Sequence, residues 1–169
     1  MGGNSIVPMA KLKICFEELG FESVRTYINS GNVVFRAVKT PNKRLEAKIG
    51  AAITKTFDLN VMVLVRTQAE MEQLLKSLPS SWQNPEGLRF NMIFLHSDVD
   101  DSKVLDQLEV KPEVEEIHYR PGCVLWSAYT SNITKSKVKK VIGTSLYKQM
   151  TIRTLNTIKK LESIMQQTV

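Results

Sequence analysis

The sequence has very little of what usually gives a function away. It holds two cysteines, Cys15 and Cys123, and two histidines, His96 and His118, none at metal-ligand or redox spacing from another. That argues against a metal site and a disulfide framework, and it points to a reducing, cytoplasmic setting. Both histidines read as ordinary sheet residues. No apolar run approaches the roughly 18 residues of a membrane span. The opening Met1-Gly2-Gly3-Asn4-Ser5-Ile6 has no signal-peptide pattern, and Ile6 stands where a myristoylation motif wants Ser or Thr. No membrane partner is therefore expected. A phosphate loop, a dinucleotide fingerprint and a Gly-x-Ser-x-Gly elbow are all missing, so no cofactor and no standard catalytic class are expected either.

What is present suits a folded protein. The chain has 169 residues, 43% of them hydrophobic, enough for the core of one domain or of two small lobes. The net charge of +6 is uneven. From Ser131 to Val169 eight basic residues (Lys135, Lys137, Lys139, Lys140, Lys148, Arg153, Lys159, Lys160) face Glu162 alone, whereas Asp98 to Glu116 holds eight acids against Lys103 and Lys111. Such asymmetry suits a polyanion-binding face, although charge runs are more often solvated helix faces.

The second half has the clearer pattern. Leu88–Leu95 reads as a strand and Ser102–Leu108 as a short helix. Val114–Tyr119 and Val124–Tyr129 form a hairpin around Arg120-Pro121-Gly122-Cys123, a type II turn signal. A two-residue loop pairs Ile117 with Trp126 and Tyr119 with Val124 on a core face. Lys135–Ile142 reads as a basic helix, Gln149–Arg153 as a strand and Thr154–Gln166 as a closing helix with Leu155, Ile158, Leu161 and Met165 in one stripe.

The first half repeats this order without its first strand. Pro8–Leu19 is a helix stopped at Gly20, Val24–Phe35 a hairpin, Asn42–Phe57 a helix and Val61–Val65 a β-branched strand. Thr67-Gln68-Ala69-Glu70 is a capping box opening a helix to Leu78. The expected fold is α+β: two ferredoxin-like (split βαβ) subdomains, 1–79 and 88–169, joined by a linker at 80–87. The first lacks its leading strand, which leaves strand edges unpaired.

Met1 to Leu12, Glu18-Leu19-Gly20-Phe21, the string Val24-Arg25-Thr26-Tyr27-Ile28-Asn29-Ser30-Gly31-Asn32-Val33-Val34-Phe35 and the closing Thr151 to Leu161 resemble a bacterial family known as domain of unknown function 1697. The resemblance covers essentially the whole chain. It implies two ferredoxin-like α+β subdomains and no assigned function. It also implies a strand ending Leu-Leu-Arg-Gly-Ile-Asn-Val ahead of Gly2-Gly3. Either the start lies upstream of Met1 or a short form replaces that strand; the first is the expectation, because losing a central strand costs more than marginal stability permits. In the closing motif Thr154 and Leu155 stand in place of the usual Asn and Trp.

Candidate site residues come from two polar motifs. With Ser30 and Gly31 as a two-residue loop, Asn29 faces Asn32, Ile28 faces Val33, Tyr27 faces Val34, and Arg25 faces Arg36. Tyr27 then lies between Arg25 and Arg36 on the outer face, as a base-stacking, phosphate-contacting surface needs; packing against the second lobe explains the same face without function. Asn29, Ser30 and Asn32 suit either a self-bonded turn or an anion nest. Arg153, Asn156 and Thr157 at the start of the last helix suit either an anion site or plain capping by Thr154. The leading expectation is a binding protein for a phosphate-bearing ligand, an anionic small molecule or nucleic acid. The alternatives are a small enzyme with a polar site between the Asn29–Asn32 turn and Arg153–Asn156, and a structural or interaction module.

Overall fold

Four α-helices and six strands order the described chain, residues 7–83 and 86–168 of the computed structural model. Met1 to Ile6, which carry part of the family resemblance, and residues 84–85 of the expected linker lie outside the described residues. The chain divides into two units, 1–71 with 160–169, and 72–159, so the division runs through two helices rather than through residues 80–87. Among those linker residues, Ser80–Gln83 forms a 3-10 turn, and Trp82 is buried with its ring 4.5 Å from that of Phe90.

In unit one, α1 (Met9–Glu18) begins after Pro8 and buries Leu12, Cys15 and Phe16, one turn apart. The strands β1 (Glu22–Tyr27) and β2 (Asn32–Arg36) pair antiparallel. Helix α2 (Asn42–Phe57) buries Leu45, Ile49 and Ile53 at four-residue spacing and ends on Asp58 in the left-handed region. These faces meet in one core with Val7, Phe21, Val24 and Val65, against which Val33, Phe35, Val61 and Val63 pack. The Phe21 and Phe35 rings stack at 4.4 Å, and Phe16 meets Phe35 edge-on at 5.4 Å.

Residues 61–65, expected as a strand, join no ladder among the described residues. The alternation is there: Val61, Val63 and Val65 face the core. A strand is defined by its neighbour, and none of the described residues lies alongside. The N–H of Val65 goes instead to a Glu46 carboxylate oxygen at 2.9 Å. The capping box that follows is formed. Glu70 accepts from the Thr67 N–H at 2.6 Å, and the Thr67 hydroxyl accepts from the Glu70 N–H at 3.2 Å, opening α3 (Gln68–Lys76). Burial pushes the Glu70 carboxyl up, yet bonds from Thr67 and Asn42 and the nearby Arg66 charge hold it below its usual range.

Unit two is built on an antiparallel sheet in the order β4-β5-β3-β6, with β3 (Leu88–Leu95), β4 (Glu115–Arg120), β5 (Cys123–Tyr129) and β6 (Met150–Thr154). The central β3 is the most apolar strand, and Met92, Ile93 and Leu95 are fully buried. In the β4–β5 hairpin Ile117 faces Trp126 and Tyr119 faces Val124, as expected from a Pro121-Gly122 loop in which Gly122 takes φ +78°. Those four side chains join the core formed with Ile93, Leu95, Val138, Val141 and Met150. Helix α4 (Leu155–Gln166) starts in unit two and ends in unit one; it buries Leu155 and Ile158 and leaves Leu161 and Met165 half-buried.

Two expected helices differ. Ser102–Gln107 is a 3-10 helix, capped by the Asp101 side chain accepting from the Lys103 N–H at 2.8 Å. Lys135–Ile142 is not one basic helix: the segment runs through 3-10 turns at Thr130–Lys135, Val138–Val141 and Tyr147–Gln149. The N–H groups of Lys137 and Val138 donate to the Glu115 carboxylate, at 2.8 and 3.3 Å, rather than to carbonyls one turn back. A competing acceptor outside the segment thus breaks the helical ladder.

Candidate functional site

The β1–β2 turn has four residues, Ile28 to Gly31, and not two. Tyr27 faces Asn32, Thr26 faces Val33, Arg25 faces Val34, and Glu22 faces Arg36. The expected pairs Asn29 with Asn32, Ile28 with Val33, Tyr27 with Val34, and Arg25 with Arg36 are therefore corrected. Two local features set this register. Ile28 and Gly31 both adopt positive φ, +50° and +75°, and an irregularity between Glu22 and Arg25, where Ser23 has φ +51°, adds a residue to β1. Consequently Arg36 stands opposite an acid, and Tyr27 is half-buried with Arg25 as its same-face neighbour along the strand.

The turn bonds to itself. The buried Asn32 amide donates to the Tyr27 carbonyl at 3.3 Å and to the Ser30 hydroxyl at 2.7 Å, holding the loop across its base. Asn29 is exposed at the tip. The local bonds thus account for Asn32, and for one role of the Ser30 oxygen, without a ligand.

The second motif belongs to unit two. Arg153, on β6 opposite Met92, is half-buried, and its guanidinium donates to the Thr151 hydroxyl at 2.6 Å and to the Ile152 carbonyl at 2.8 Å. Burial draws its pKa below the usual value, with Tyr147 opposing; guanidinium still keeps its proton at neutral pH. Thr154 caps α4, accepting from the Thr157 N–H at 3.3 Å with the two hydroxyls 3.0 Å apart. Asn156 is exposed on the first turn.

A more tightly built polar cluster lies around Glu115, which the sequence reading passed over. Its carboxylate accepts from the N–H groups of Lys111, Lys137 and Val138, from the Trp126 indole at 3.2 Å and from the Ser136 hydroxyl at 2.5 Å. Glu115 is only 4% exposed. Burial pushes its carboxyl up, but the Ser136 hydroxyl and the backbone donors outweigh that and hold it below the ordinary carboxylate range. A signal existed: Glu115 shares the inward period with Ile117 and Tyr119, and a buried tryptophan needs a partner for its N–H.

The cluster anchors the basic segment by its backbone, so that Lys135, Lys137 and Lys139 point outward and exposed. Lys140 is exposed too, but pairs with Glu109 at 2.8 Å. The acidic and basic runs thus meet in this ion pair as well as at Glu115, and the pair also draws the Glu109 carboxyl down. Tyr129, half-exposed at the end of β5, opens the same segment. His118 contacts Glu116 at 2.7 Å and His96 lies beside Asp98; among the described residues no group of His, Cys, Asp and Glu could hold a metal. No helix among them is long and apolar enough to cross a membrane.

Against known proteins, the family model described as "Protein of unknown function (DUF1697)" matches residues 1–126. No curated protein matches. Among solved structures, the chain is similar to a conserved bacterial protein from Streptococcus pneumoniae, with a TM-score of 0.79 and 24% identity over 98% of this chain and 92% of that one. At that identity the likeness speaks to the fold alone, and it agrees with the α+β class.

Proposed function

Since the chain belongs to the DUF1697 family, whose function is unassigned, we propose that it binds a phosphate-bearing ligand, with single-stranded nucleic acid the class that its charge fits best. The observation that carries this reading is the basic segment held by Glu115. Lys135, Lys137 and Lys139 are exposed on turns whose backbone is tied to a buried carboxylate. A phosphate chain then meets positions already ordered, which lowers the entropy cost of binding. The Tyr129 ring, half-exposed beside them, is a surface on which a base can stack. In unit one, Arg25 and Tyr27 on one face of β1 offer the same pairing of charge and ring. We read the protein as cytoplasmic, in keeping with its two free thiols. We also read both units as ferredoxin-like, which the β4-β5-β3-β6 order supports for unit two.

The test is fluorescence anisotropy with mixed-sequence single-stranded RNA and DNA across a salt series. Binding should weaken with salt, and replacing Lys135, Lys137 and Lys139 by glutamate should flatten the slope by about two, at roughly 0.7 per lost phosphate contact. Tyr129→Ala should weaken binding about tenfold at constant slope. Absence of binding at low salt, or binding indifferent to the lysine changes, would overturn the proposal.

A further inference from the structure

The basic segment covers only part of the sheet face on which it is anchored. On the core face of unit two, the register puts Glu115 of β4, Ala128 of β5 and Arg89 of β3 in one row. The next row holds Ile117, Trp126, Asn91 and Thr154, the last of these on β6. Glu115, Ala128 and Trp126 are buried, whereas Arg89 and Thr154 are exposed and Asn91 is half-buried. Val138, in the turn bonded to Glu115, packs in one cluster with Trp126 and Ala128. The turns thus lie over β4 and β5 at this end and leave a ledge on β3 and β6. The start of the segment borders that ledge, because the Thr130 N–H donates to the Gly87 carbonyl at 2.7 Å, two residues before Arg89.

Asn91 has no structural role to match its place. It stands in the central strand between Phe90 and Met92, where asparagine is a poor strand former. By alternation its side chain lies on the face of Ile93 and Leu95. Its side-chain amide makes no hydrogen bond to a described residue, whereas half-buried amides usually find a partner. Asn32 is the contrast, since its amide closes the β1–β2 turn. The Trp126 indole, across the strand pair from Asn91, donates to Glu115 and leaves Asn91 alone.

Resting on the reading that the chain binds a single strand of nucleic acid, we infer that this ledge reads one unpaired base. An amide presents a donor and an acceptor side by side. A phosphate has acceptors only, so it leaves half of the amide unused, whereas the edge of a base offers the complementary donor and acceptor together. Those edges are free in an unpaired base. Asn91 therefore pairs with the base edge, and Arg89, one row along the same strand face, takes the adjoining phosphate. The exposed Lys135 and Lys137, on the segment that borders the ledge, continue the phosphate track. Asn91 is thus the specificity-determining residue of a surface whose lysines supply affinity.

The experiment compares, by anisotropy at low salt, a mixed-sequence single-stranded DNA with a strand of equal length whose bases are all replaced by abasic sugars. Asn91→Ala should bind the mixed strand about tenfold more weakly than wild type, at unchanged salt slope. It should bind the abasic strand as wild type does, because the amide then has nothing to pair with. Arg89→Ala should lower the slope by about 0.7 on both strands. In the wild-type chain, where folding is not in question, the Asn91 side-chain amide resonance should shift with the mixed strand and stay in place with the abasic one. Equal losses on both strands for Asn91→Ala, an amide that does not move in a chain that binds, or an unchanged slope for Arg89→Ala overturns the inference and leaves the lysine reading standing. A wild-type chain that binds neither strand overturns both.

Discussion

Residues 61–65 and strand β6 hold the same place in the order of their units, yet they are secured differently. β6 exchanges hydrogen bonds with β3 through five facing pairs, Asn91 with Thr154 to Leu95 with Met150. Residues 61–65 rest on the core of unit one through Val61, Val63 and Val65, and the hydrogen bonds seen among the described residues gather at Val65, whose N–H donates to Glu46 and whose carbonyl accepts from the Arg66 guanidinium. Hydrophobic contact along one face can thus position a segment that joins no ladder among the described residues. The ladder adds register and cooperativity, which side chains on one face do not supply.

The largest expected effect breaks the comparison on the side of unit two. Ile93→Ala removes a fully buried side chain from the strand that joins β5 and β6, and it should cost about 3–4 kcal/mol in chemical denaturation. Val63→Ala, half-buried and facing no partner strand among the described residues, should cost about 1 kcal/mol; equal costs would show that the two segments are secured alike.

Next comes Glu115→Gln, with about 2 kcal/mol lost at pH 7, since several buried donors lose a charged acceptor. The pH dependence has a definite sign. The folded carboxyl titrates below its unfolded value, so its stabilisation is complete above the ordinary carboxylate range of about 4.3 and is lost as pH falls through the folded value. The difference between wild type and variant should therefore shrink in acid, and a constant difference across that range would count against the cluster. Thr67→Ala, which opens the capping box beside residues 61–65, should cost about 1 kcal/mol.

The smallest effect has the opposite sign. Gly50 lies inside α2, and a Cβ there would meet Val63 at 3.9 Å, an ordinary contact. Gly50→Ala should thus raise stability by about 0.5–1 kcal/mol, as thermal unfolding would read it, and slow exchange in residues 61–65.

How far the sequence could be read depended on whether the deciding contact was local. Asn42–Phe57, Leu88–Leu95 and the Pro121-Gly122 hairpin were legible because spacing, alternation and turn chemistry agree within a few residues. The β1–β2 turn was not, although Ser30-Gly31 looks like a two-residue loop. Ile28 takes a left-handed conformation that β-branched residues rarely adopt, and the Asn32 amide closes the longer loop. Lys135–Ile142 has helical charge spacing, but its N–H groups are claimed by a carboxylate about twenty residues earlier, which periodicity cannot register. The candidate residues divide in the same way: Asn32 and Thr157 are engaged by neighbours in their own motifs, whereas the Glu115 cluster draws on three separate segments.

The two buried thiols have a practical consequence. Cys15 lies in unit one and Cys123 in unit two, each 3% exposed or less, while both tryptophans, Trp82 and Trp126, belong to unit two. Tryptophan emission is therefore blind to unit one, but thiol labelling is not. Under native conditions a small thiol reagent can reach each sulfur only when its own unit opens, so the two modification rates, resolved by mass spectrometry, read the opening of each unit in one tube. Cys15 should react first.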